Sequence, residues 1–472
     1  MKKTTSIVFT LLLATLTALA DTYQTAGDGT TWTLTKLSEV AESGVTKVDN
    51  TFTMTESVEI VAGDKFQIES GVKVMMGDKV QLRISCDADF TADECVLFTS
   101  TGTEAKPYGI YLSNDNSATA FRNIDFEYAG MRCFGAYGAD ITGCTFKYHN
   151  AVSGTAALSL GTNGAQFSVT GCTFEKSARC AIAGAANFCN PVTITDCVFE
   201  GNGTDNRNYP QINLTAAENV VIRNCKVTGN PAHNMVGGIC VSNLVGLTGD
   251  LNTLIEDCEI RENRYGLALY CEQNAKVLNN TIVNNNHETN PMNGGSGINL
   301  YDPQKTQTTV ITGNYIENNL WGITVIGGKD INIGKVEDKE AADYNPGLNV
   351  FLNNGFNGTP YDLYNNSPNT VYAQGNFWKS VAIQDEEHIE TVVFHKNDDP
   401  KLGEVIFMPA LPSDPTGIED ISAEDIKGIE VYDLNGTLVA KSKDSGLQGL
   451  RPGTYIIRTT TADGVKAHKV IR

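Results

Sequence analysis

The chain has few of the features that mark several protein classes. Basic residues are scarce, since 35 Lys and Arg face 55 Asp and Glu and give a formal net charge of −20. An acidic chain repels phosphate groups, which argues against nucleic acids and anionic membranes as partners. The same charge disfavours a strongly polyanionic substrate, unless a local basic patch or bound calcium offsets it. No stretch has a convincing helical period, and no apolar run after residue 20 is long enough to span a bilayer. Helical bundles and membrane-spanning helices are therefore not expected in the mature chain.

The start of the chain has the pattern of a secretory signal. Lys2 and Lys3 precede a mostly apolar stretch from residue 7 to residue 16, and Ala18-Leu19-Ala20 supplies a small-residue cleavage site. We therefore assign residues 1–20 to a signal peptide. The mature protein is expected to be exported, and either secreted or held at the outer cell surface.

A nine-residue pattern recurs with cysteine or asparagine at one fixed place, the anchor. Clear copies are ITGCTFKYH (141–149), ITDCVFEGN (194–202), IEDCEIREN (255–263) and ITGNYIENN (311–319). An apolar residue lies three places before the anchor and another lies two places after it in most copies. The aligned anchors are Ile124, Cys144, Cys172, Cys197, Cys225, Cys258, Asn280, Asn314, Asn349 and Asn376.

A second strand pattern recurs between the anchors, as in GGICV (237–241), YGLAL (265–269) and SGINL (296–300). Alternating apolar residues with Asn and Gly punctuation indicate short strands. Repeated strands without helices predict an all-β parallel β-solenoid, in which each coil stacks on the next. A β-sandwich of hairpins is the alternative, but it would need two-residue turns that are rare here.

In such a solenoid the anchors would form an internal ladder with rungs about 4.8 Å apart. A second ladder is expected five places after the anchors, at Asn202, Asn230, Asn263, Asn285, Asn319 and Asn354. The ladder cysteines should remain free thiols, because this rung spacing exceeds the Cβ separation that a disulfide prefers. Among the 12 cysteines, we predict a disulfide only between Cys86 and Cys95, which flank a polar loop. No cysteine or histidine cluster has the spacing of a zinc site.

The repeats resemble the right-handed parallel β-helix repeats of the pectate-lyase-like superfamily, particularly its carbohydrate-binding and sugar-hydrolase type. The V/I-x-x-N/C-x-F/I pattern and its GI-x-L partner carry this resemblance, which extends roughly from Val58 to Trp378. The resemblance implies an N-terminal cap segment at 21–57 and a parallel β-helix at 58–408. It implies no single activity, because this fold carries enzymes of several kinds as well as adhesins.

The tail differs in composition from the repeats. A Pro- and Asp-rich linker at 409–420 precedes IEVYDLNGTLVA (429–440) and LQGLRPGTYIIRTTT (447–461). These segments resemble the C-terminal sorting domain of the type IX secretion system. The matching residues are Asp433, Gly436, Leu450, Pro452, Gly453, Tyr455, Lys466 and Lys469. The resemblance implies a small C-terminal β-sandwich at 421–472 that binds the secretion machinery, and the alternative is an ordinary accessory β-sandwich.

Candidate site residues lie in the loops that precede the GI-x-L strands. The local signatures of polygalacturonases, pectate lyases and pectin methylesterases are absent, so no catalytic residue can be transferred from those enzymes. The loops instead carry a row of ionisable residues that could contact or cleave a sugar chain by acid–base chemistry. The catalytic candidates are Asp205, Arg207, His233, Arg264, His287 and Glu288.

Two tyrosines, Tyr270 and Tyr301, occupy matching outward positions on adjacent coils, where they could stack on sugar rings. Asn299 is the third candidate for substrate binding. No cofactor is expected. Asp302 and Asp330 could serve calcium, but no oxygen-rich motif of defined spacing supports this.

The sequence alone leaves two possible functions. The first is a non-catalytic β-helix that binds an extracellular polysaccharide or other glycan, or acts as an adhesin. The alternative is a polysaccharide lyase or glycoside hydrolase that uses His233, Arg264 and His287. These two readings differ in one spatial requirement, since an enzyme needs those three side chains to converge on one groove floored by Tyr270 and Tyr301.

Overall fold

A computed structural model describes residues 22–150, 156–184, 189–271, 273–288, 290, 293–303, 307–415, 428–433, 436–442, 454–461 and 464–471. The proposed signal peptide and parts of the tail, including Leu450, Pro452 and Gly453, lie outside the described residues. Most of the described chain winds into one coil with three faces, and each face is a parallel sheet.

The first face, sheet 1, contains the GI-x-L strands and has 14 strands. Each strand pairs in parallel with the equivalent strand of the next coil. The strands are Tyr23–Gln24, Val58–Ile60, Gln81–Ile84, Gly109–Leu112, Met131–Cys133, Leu158–Leu160, Ile182–Gly184, Pro210–Thr215, Gly237–Ser242, Leu267–Tyr270, Ser296–Asp302, Trp321–Gly327, Leu363–Asn365 and Val393–Phe394.

The second face, sheet 2, carries the strand before each anchor. Its strands are Thr31–Trp32, Lys65–Gln67, Ala139–Thr142, Phe167–Thr170, Val192–Thr195, Val220–Arg223, Asn252–Glu256, Asn274–Leu278, Thr308–Thr312, Asp330–Gly334, Val371–Ala373 and Val405–Ile406. Two long strands, Asp87–Ser100 and Thr119–Glu127, start in sheet 2 and continue around the corner into the third face.

The third face, sheet 3, carries the strand after each anchor. Its strands are Val45–Val48, Thr51–Met54, Lys73–Met76, Thr145–Lys147, Thr173–Glu175, Val198–Glu200, Lys226–Thr228, Glu259–Arg261, Thr281–Val283, Tyr315–Glu317, Val350–Leu352 and Phe377–Trp378. Val45–Val48 is antiparallel to its neighbour, and the other pairs in this sheet are parallel. A small antiparallel hairpin, Gly355–Phe356 with Thr359–Pro360, projects from the coil.

The remaining elements are short. The helices are Leu34–Ser38 and Glu386–Glu390, with a 3₁₀ turn at Ala41–Ser43. The tail forms a four-stranded antiparallel sheet of Gly428–Asp433, Leu438–Ser442, Thr454–Thr461 and Gly464–Ile471. The predicted all-β architecture with a small C-terminal β unit is confirmed.

The anchor column predicted from the repeat is confirmed. All its members from Ile124 to Asn376 are at most 1% exposed. The residue that precedes each anchor has a left-handed backbone with φ between 52° and 70°, and with the exception of Leu348 it is Asn, Asp or Gly, as at Asp196 and Asn224. Asparagine, aspartate and glycine tolerate this conformation, so the sequence places them at the corner that turns the chain from sheet 2 into sheet 3.

The core repeats one residue type per column. The apolar residue before the anchor pairs in register from Ile141 through Val169 and Ile194 to Ile222. The residue after the anchor forms an aromatic stack in which Phe146 and Phe174 have ring centroids 4.8 Å apart at an interplanar angle of 3°. Stacked rings of this kind bury large apolar areas inside a coil that is only a few residues wide.

The second ladder differs from the prediction at one rung. Asn230 points away from the interior, and its Oδ1 accepts a hydrogen bond from Ala232 N at 3.0 Å. Gln211 reaches inward instead, accepts from Asn202 Nδ2 at 2.9 Å and donates to Asn263 Oδ1 at 3.0 Å. The long loop after residue 229 draws Asn230 outward, and the longer glutamine side chain bridges the gap.

The proposed disulfide between Cys86 and Cys95 is wrong, and the cysteines are free thiols. Cys86 is buried and Cys95 is exposed. The residues between them do not form a loop that folds back, because Asp87–Ser100 is one strand that crosses sheet 2 before it turns. The two cysteines therefore lie at opposite edges of that face.

Candidate functional site

A groove with a volume of about 530 Å³ lies on the outer face of sheet 1. Alternation along the strands points Asn213, Cys240 and Ala268 outward while Ile212, Ile239 and Leu267 fill the core. Loops form the two sides of the groove. The lining residues are Gly184, Asn208, Pro210, Asn213, Leu214, Thr215, Met235, Cys240, Ser242, Leu244, Val245, Arg264, Tyr265, Tyr270 and Asn293.

Arg264 is the only charged side chain among the described residues that line this groove. It is 6% exposed, and its guanidinium carbon lies 5.1 Å from the centroid of the Tyr265 ring. One terminal nitrogen, Nη2, donates to Asn208 Oδ1 at 2.7 Å. The buried Nε has no hydrogen-bond partner among the described residues. Because the guanidinium lines the groove with no carboxylate among the described lining residues, it can meet an anionic or strongly polar ligand group there.

Close packing against Gly237 fixes the Tyr265 ring, over which the Arg264 guanidinium lies. Gly237 lies under the Tyr265 ring, and a Cβ at this glycine would come 2.1 Å from the ring, so only glycine permits this packing. Burial raises the pKa of Tyr265 well above its usual value and that of Cys240 to about 12. Both groups are therefore neutral at physiological pH, and Arg264 keeps its charge uncompensated by them.

The two candidate tyrosines are neighbours, as predicted. Tyr270 pairs in register with Tyr301, and their ring centroids are 5.5 Å apart at 70°. Asn299 Nδ2 donates to the Tyr270 hydroxyl at 3.3 Å, which orients that ring. Only Tyr270 lines the groove; Tyr301, which is 36% exposed, and Asn299 lie beyond it.

The loop histidine His287 is engaged elsewhere. Its Nε2 lies 2.7 Å from Glu262 Oε2. Glu288 is buried at 6% exposure, where it accepts hydrogen bonds from Asn234 Nδ2 at 3.0 Å and from the backbone of Asn290 at 2.9 Å. These contacts fasten successive loops to one another.

The other candidates also lie outside the described lining of the groove. Asp205 is 3.8 Å from Arg179 Nε, and Arg207 is exposed. His233 is half-buried, with an Nδ1 that has no partner among the described residues. The structure therefore brings Arg264 and Tyr270 together and leaves His233 and His287 apart from them.

The lining limits the chemistry that the groove supports. None of the described lining residues is Asp, Glu or His. Glycoside hydrolysis ordinarily uses two carboxylic groups on either side of the bond. The lining instead offers one cation, two neutral tyrosines and amide and hydroxyl groups, which suit recognition of a polar chain.

A second depression, of about 840 Å³, lies on the outer face of sheet 2. Its charged lining is Asp140, Glu218 and Asp250, and no Lys or Arg lines it among the described residues. This surface repels anions, whereas the groove on sheet 1 presents a cation. The two faces of one coil thus differ in the sign of the charge that they offer.

No metal site accompanies either surface among the described residues, since no three His, Cys, Asp or Glu side chains cluster there. Asp302 is buried and accepts from the backbone of Gln307 at 2.5 Å, and Asp330 lies 3.7 Å from Lys329. A role of these two aspartates in calcium binding stays a prediction. In the described part of the chain, no helix has the length and apolarity to cross a membrane.

Sequence reasoning missed Asn208, Cys240 and Ser242 as lining residues. The signal was present for the last two, because GGICV (237–241) alternates and therefore turns Cys240 toward solvent. Asn208 could not be found from the pattern, because it lies in a loop of irregular length.

Comparisons with known proteins agree with this architecture. The family described as "Right handed beta helix region" matches residues 83–244 and 156–336, together more than half of the chain. No curated protein sequence matches at a significant level.

Among solved structures, the periplasmic alginate epimerase AlgG is 13% identical with a TM-score of 0.43, over 81% of this chain and 83% of that chain. The A-module of the mannuronan C-5 epimerase AlgE4 from Azotobacter vinelandii is 11% identical with a TM-score of 0.30, over 65% of this chain and 84% of that chain. These likenesses concern backbone shape alone. By the family match and the strand register, the chain belongs to the right-handed β-helix family.

Proposed function

We propose that this protein is an exported, non-catalytic polysaccharide-binding protein that holds a sugar chain in the groove on sheet 1. The observation that carries the proposal is the Arg264 guanidinium, the one charged group among the described residues that line an open polar groove, with no carboxylate beside it in that lining. A ligand oxygen in the groove would form a charge-assisted hydrogen bond with this guanidinium, which is stronger than a neutral one. Tyr270 supplies an amphipathic ring beside it.

The charge around Arg264 favours an acidic sugar chain. The guanidinium meets no carboxylate among the described lining residues, so a carboxylate or sulfate ester would be its first anionic partner. The acidic depression on sheet 2 repels the same polymer. Binding is therefore expected on one face of the coil only.

Export and surface attachment are part of the proposal and rest on sequence features. The signal pattern at residues 1–20 and the sorting-type tail at 421–472, behind the linker at 409–420, support delivery to the outer surface through the secretion machinery. The segment at 21–57 and the β-helix at 58–408 would then be the part presented to the polysaccharide, as a binding protein or an adhesin.

The test is the affinity of the purified protein for a polyuronate oligosaccharide, measured by isothermal titration calorimetry. Arg264→Met should weaken binding by about tenfold or more, because a charge-assisted hydrogen bond is lost. Arg264→Lys keeps the charge and should lose less. The control is Arg223→Met, since Arg223 lies on sheet 2 and is paired with Glu256 at 2.9 Å.

Equal affinities of wild type and Arg264→Met would refute the proposal, provided that both melt at the same temperature. The enzymatic alternative has its own readout. Release of unsaturated or reducing ends by the wild type, abolished by His233→Ala or His287→Ala, would replace the binding function with a lyase or hydrolase.

A further inference from the structure

The face of sheet 1 continues from the groove toward the N-terminal coils, where its outward side chains become large and charged. Glu59, Arg83, Tyr111 and Arg132 occupy one outward position on four successive strands. The same position continues through Ser159, Ala183 and Asn213 to Cys240, on the floor of the groove. One column of side chains therefore joins the N-terminal cluster to the groove.

Arg132 lies among aromatic rings. Its guanidinium carbon is 5.2 Å from the centroid of Tyr111 and 5.6 Å from that of Phe134. These two rings stack on each other at 5.3 Å with an interplanar angle of 5°. Aromatic faces restrict the guanidinium without neutralising it, so its hydrogen-bond donors are pre-organised and its charge is retained.

Arg83 and Arg132 differ although both contact Tyr111. The Arg83 guanidinium lies 4.7 Å from the Tyr111 centroid, but its Nε is 3.1 Å from Glu59 Oε1. Within the described ranges, no carboxylate lies within ion-pair distance of Arg132. The carboxylate of Glu59 thus already compensates the charge of Arg83, whereas the charge of Arg132 has no such partner on the same described surface.

Small residues separate this cluster from the groove. Ser159 and Ala183 follow Arg132 along the outward column, and Gly184 already lines the groove. Gly161 lies under the Phe134 ring, where a Cβ would come 2.2 Å from a ring carbon. Among the described residues, this outward column therefore places little side-chain bulk between Arg132 and the groove.

The column has four steps from Arg132 to Cys240. At the spacing of parallel strands, this is about 19 Å. We propose that Arg132, stacked on Tyr111 and Phe134, is a second anchoring site for an anionic polysaccharide whose other part occupies the groove at Arg264. A chain long enough to reach both cations gains affinity by binding them together, whereas a short one binds only one.

The ligand class is a sugar polymer with repeated anionic groups, either carboxylates or sulfate esters. The inference rests on the proposed function, since it assigns a second site to the same polymer. Affinity should therefore depend on chain length, and Arg132 should matter only for the long chains.

The test compares wild type, Arg132→Met and Arg83→Met by calorimetry with a disaccharide and a long oligosaccharide of a polyuronate, of a sulfated galactan and of neutral cellulose. Arg132→Met should weaken binding of the long anionic chain about five- to tenfold and leave the disaccharide unchanged. Arg83→Met keeps the free cation and should change affinity less than twofold. The anionic polymer that shows this pattern is the ligand class, and the neutral chain should show none of it.

Arg132→Lys provides a second variant in case the methionine variant melts early, and it should retain part of the affinity for the long chain. The inference is overturned if Arg132→Met and Arg132→Lys bind the long chains as wild type does while Arg264→Met is impaired. If none of the variants, including Arg264→Met, changes binding, the proposed function fails as well, so the two failures are distinguishable.

Discussion

The anchor column has two parts that solve the same packing problem differently. Between Cys144 and Cys258 the rungs are thiols, which contact backbone oxygens at 3.1 to 3.7 Å, as Cys197 Sγ does at 3.1 Å from Thr195 O and 3.5 Å from Val169 O. From Asn280 onward the rungs are amides. Asn314 Nδ2 donates to Val277 O at 2.9 Å, and its Oδ1 accepts from the backbone and side-chain nitrogens of Asn280 at 2.9 and 3.0 Å.

The neighbouring column does not follow the same division. Phe146, Phe174 and Phe199 stack beside the first three thiols, but Val227 and Ile260 follow the last two. Beside the amide rungs, Ile282 and Ile316 are followed by the stacked rings of Phe351 and Trp378. The two parts therefore differ in the rungs themselves, which are small thiols in one part and a continuous chain of hydrogen-bonded amides in the other. Truncation of a thiol rung leaves only a small cavity. Truncation of an amide rung leaves several buried polar groups without hydrogen-bond partners.

The sharpest test of this contrast removes one rung from each part. Asn314→Ala should destabilise the protein by about 3 to 5 kcal/mol, because the amide of Asn280 and a buried carbonyl lose their partners. Cys197→Ala should cost about 1 to 2 kcal/mol, the value of a small cavity. Urea denaturation followed by circular dichroism measures both. Equal losses would show that the two parts are held together by the same kind of interaction.

Substitution of Gln211 tests whether the second ladder stays continuous at the rung where the Asn230 side chain points outward. Gln211→Leu should cost about 2 to 4 kcal/mol, because Asn202 and Asn263 both lose a buried hydrogen bond. Asn230→Ala removes only a hydrogen bond within a surface turn and should cost less than about 1 kcal/mol. The same denaturation experiment checks the pair, and a reversed order would place Asn230 in the column after all.

Two buried titratable groups of the coil, Asp362 and His149, have pKa shifts of opposite sign. Burial raises the pKa of Asp362, at the C-terminal end of the second ladder, to about 6. Burial, and then the charge of Arg179, lower the pKa of His149 to about 4. The raised pKa of Asp362 means that its contribution to stability is complete below about pH 4 and is lost as the pH rises through 6. His149 acts in the opposite direction, since its contribution is present above about pH 6.5 and is lost as the pH falls through 4.

Asp362→Asn keeps an oxygen that can accept from Asn354 Nδ2, now bonded at 2.9 Å, and removes the titration. Between pH 4 and pH 7 the stability of wild type relative to this variant should fall by about 2 to 3 kcal/mol. Melting temperatures of the two proteins across that range supply the measurement. A constant difference between them would mean that Asp362 does not titrate there. The subtraction cancels the contribution of His149, which both proteins retain.

The repeat made most of the coil predictable, because one residue type recurs at each structural position. Residues equivalent to Ile194, Cys197 and Phe199 recur in successive copies, and each set predicts one column of stacked side chains. Alignment of neighbouring copies then predicts the strand register. Asn230 was misplaced because its local sequence matches the pattern while its loop length does not. Gln211 could not be predicted as a member of the second ladder, because it lies in the sheet 1 strand Pro210–Thr215 and not five places after an anchor.

The site was less predictable than the coil. Arg264 and Tyr270 were found because they lie next to the GI-x-L strand, whose direction is fixed by alternation. His287 and Glu288 were chosen for their chemistry, and only the structure shows that Glu262 and Asn234 engage them. Loop conformation depends on contacts between coils of unequal length, which no single repeat encodes.

The first strand of sheet 3, Val45–Val48, runs against the direction of its neighbour and carries Lys47 and Val48, which is 71% exposed. A parallel coil otherwise ends in a row of free backbone groups that could accept a second molecule as one more turn. The reversed strand presents the wrong hydrogen-bond pattern for such an addition, and the lysine adds charge. A second molecule is therefore not expected to add as one more turn of sheet 3 at this end.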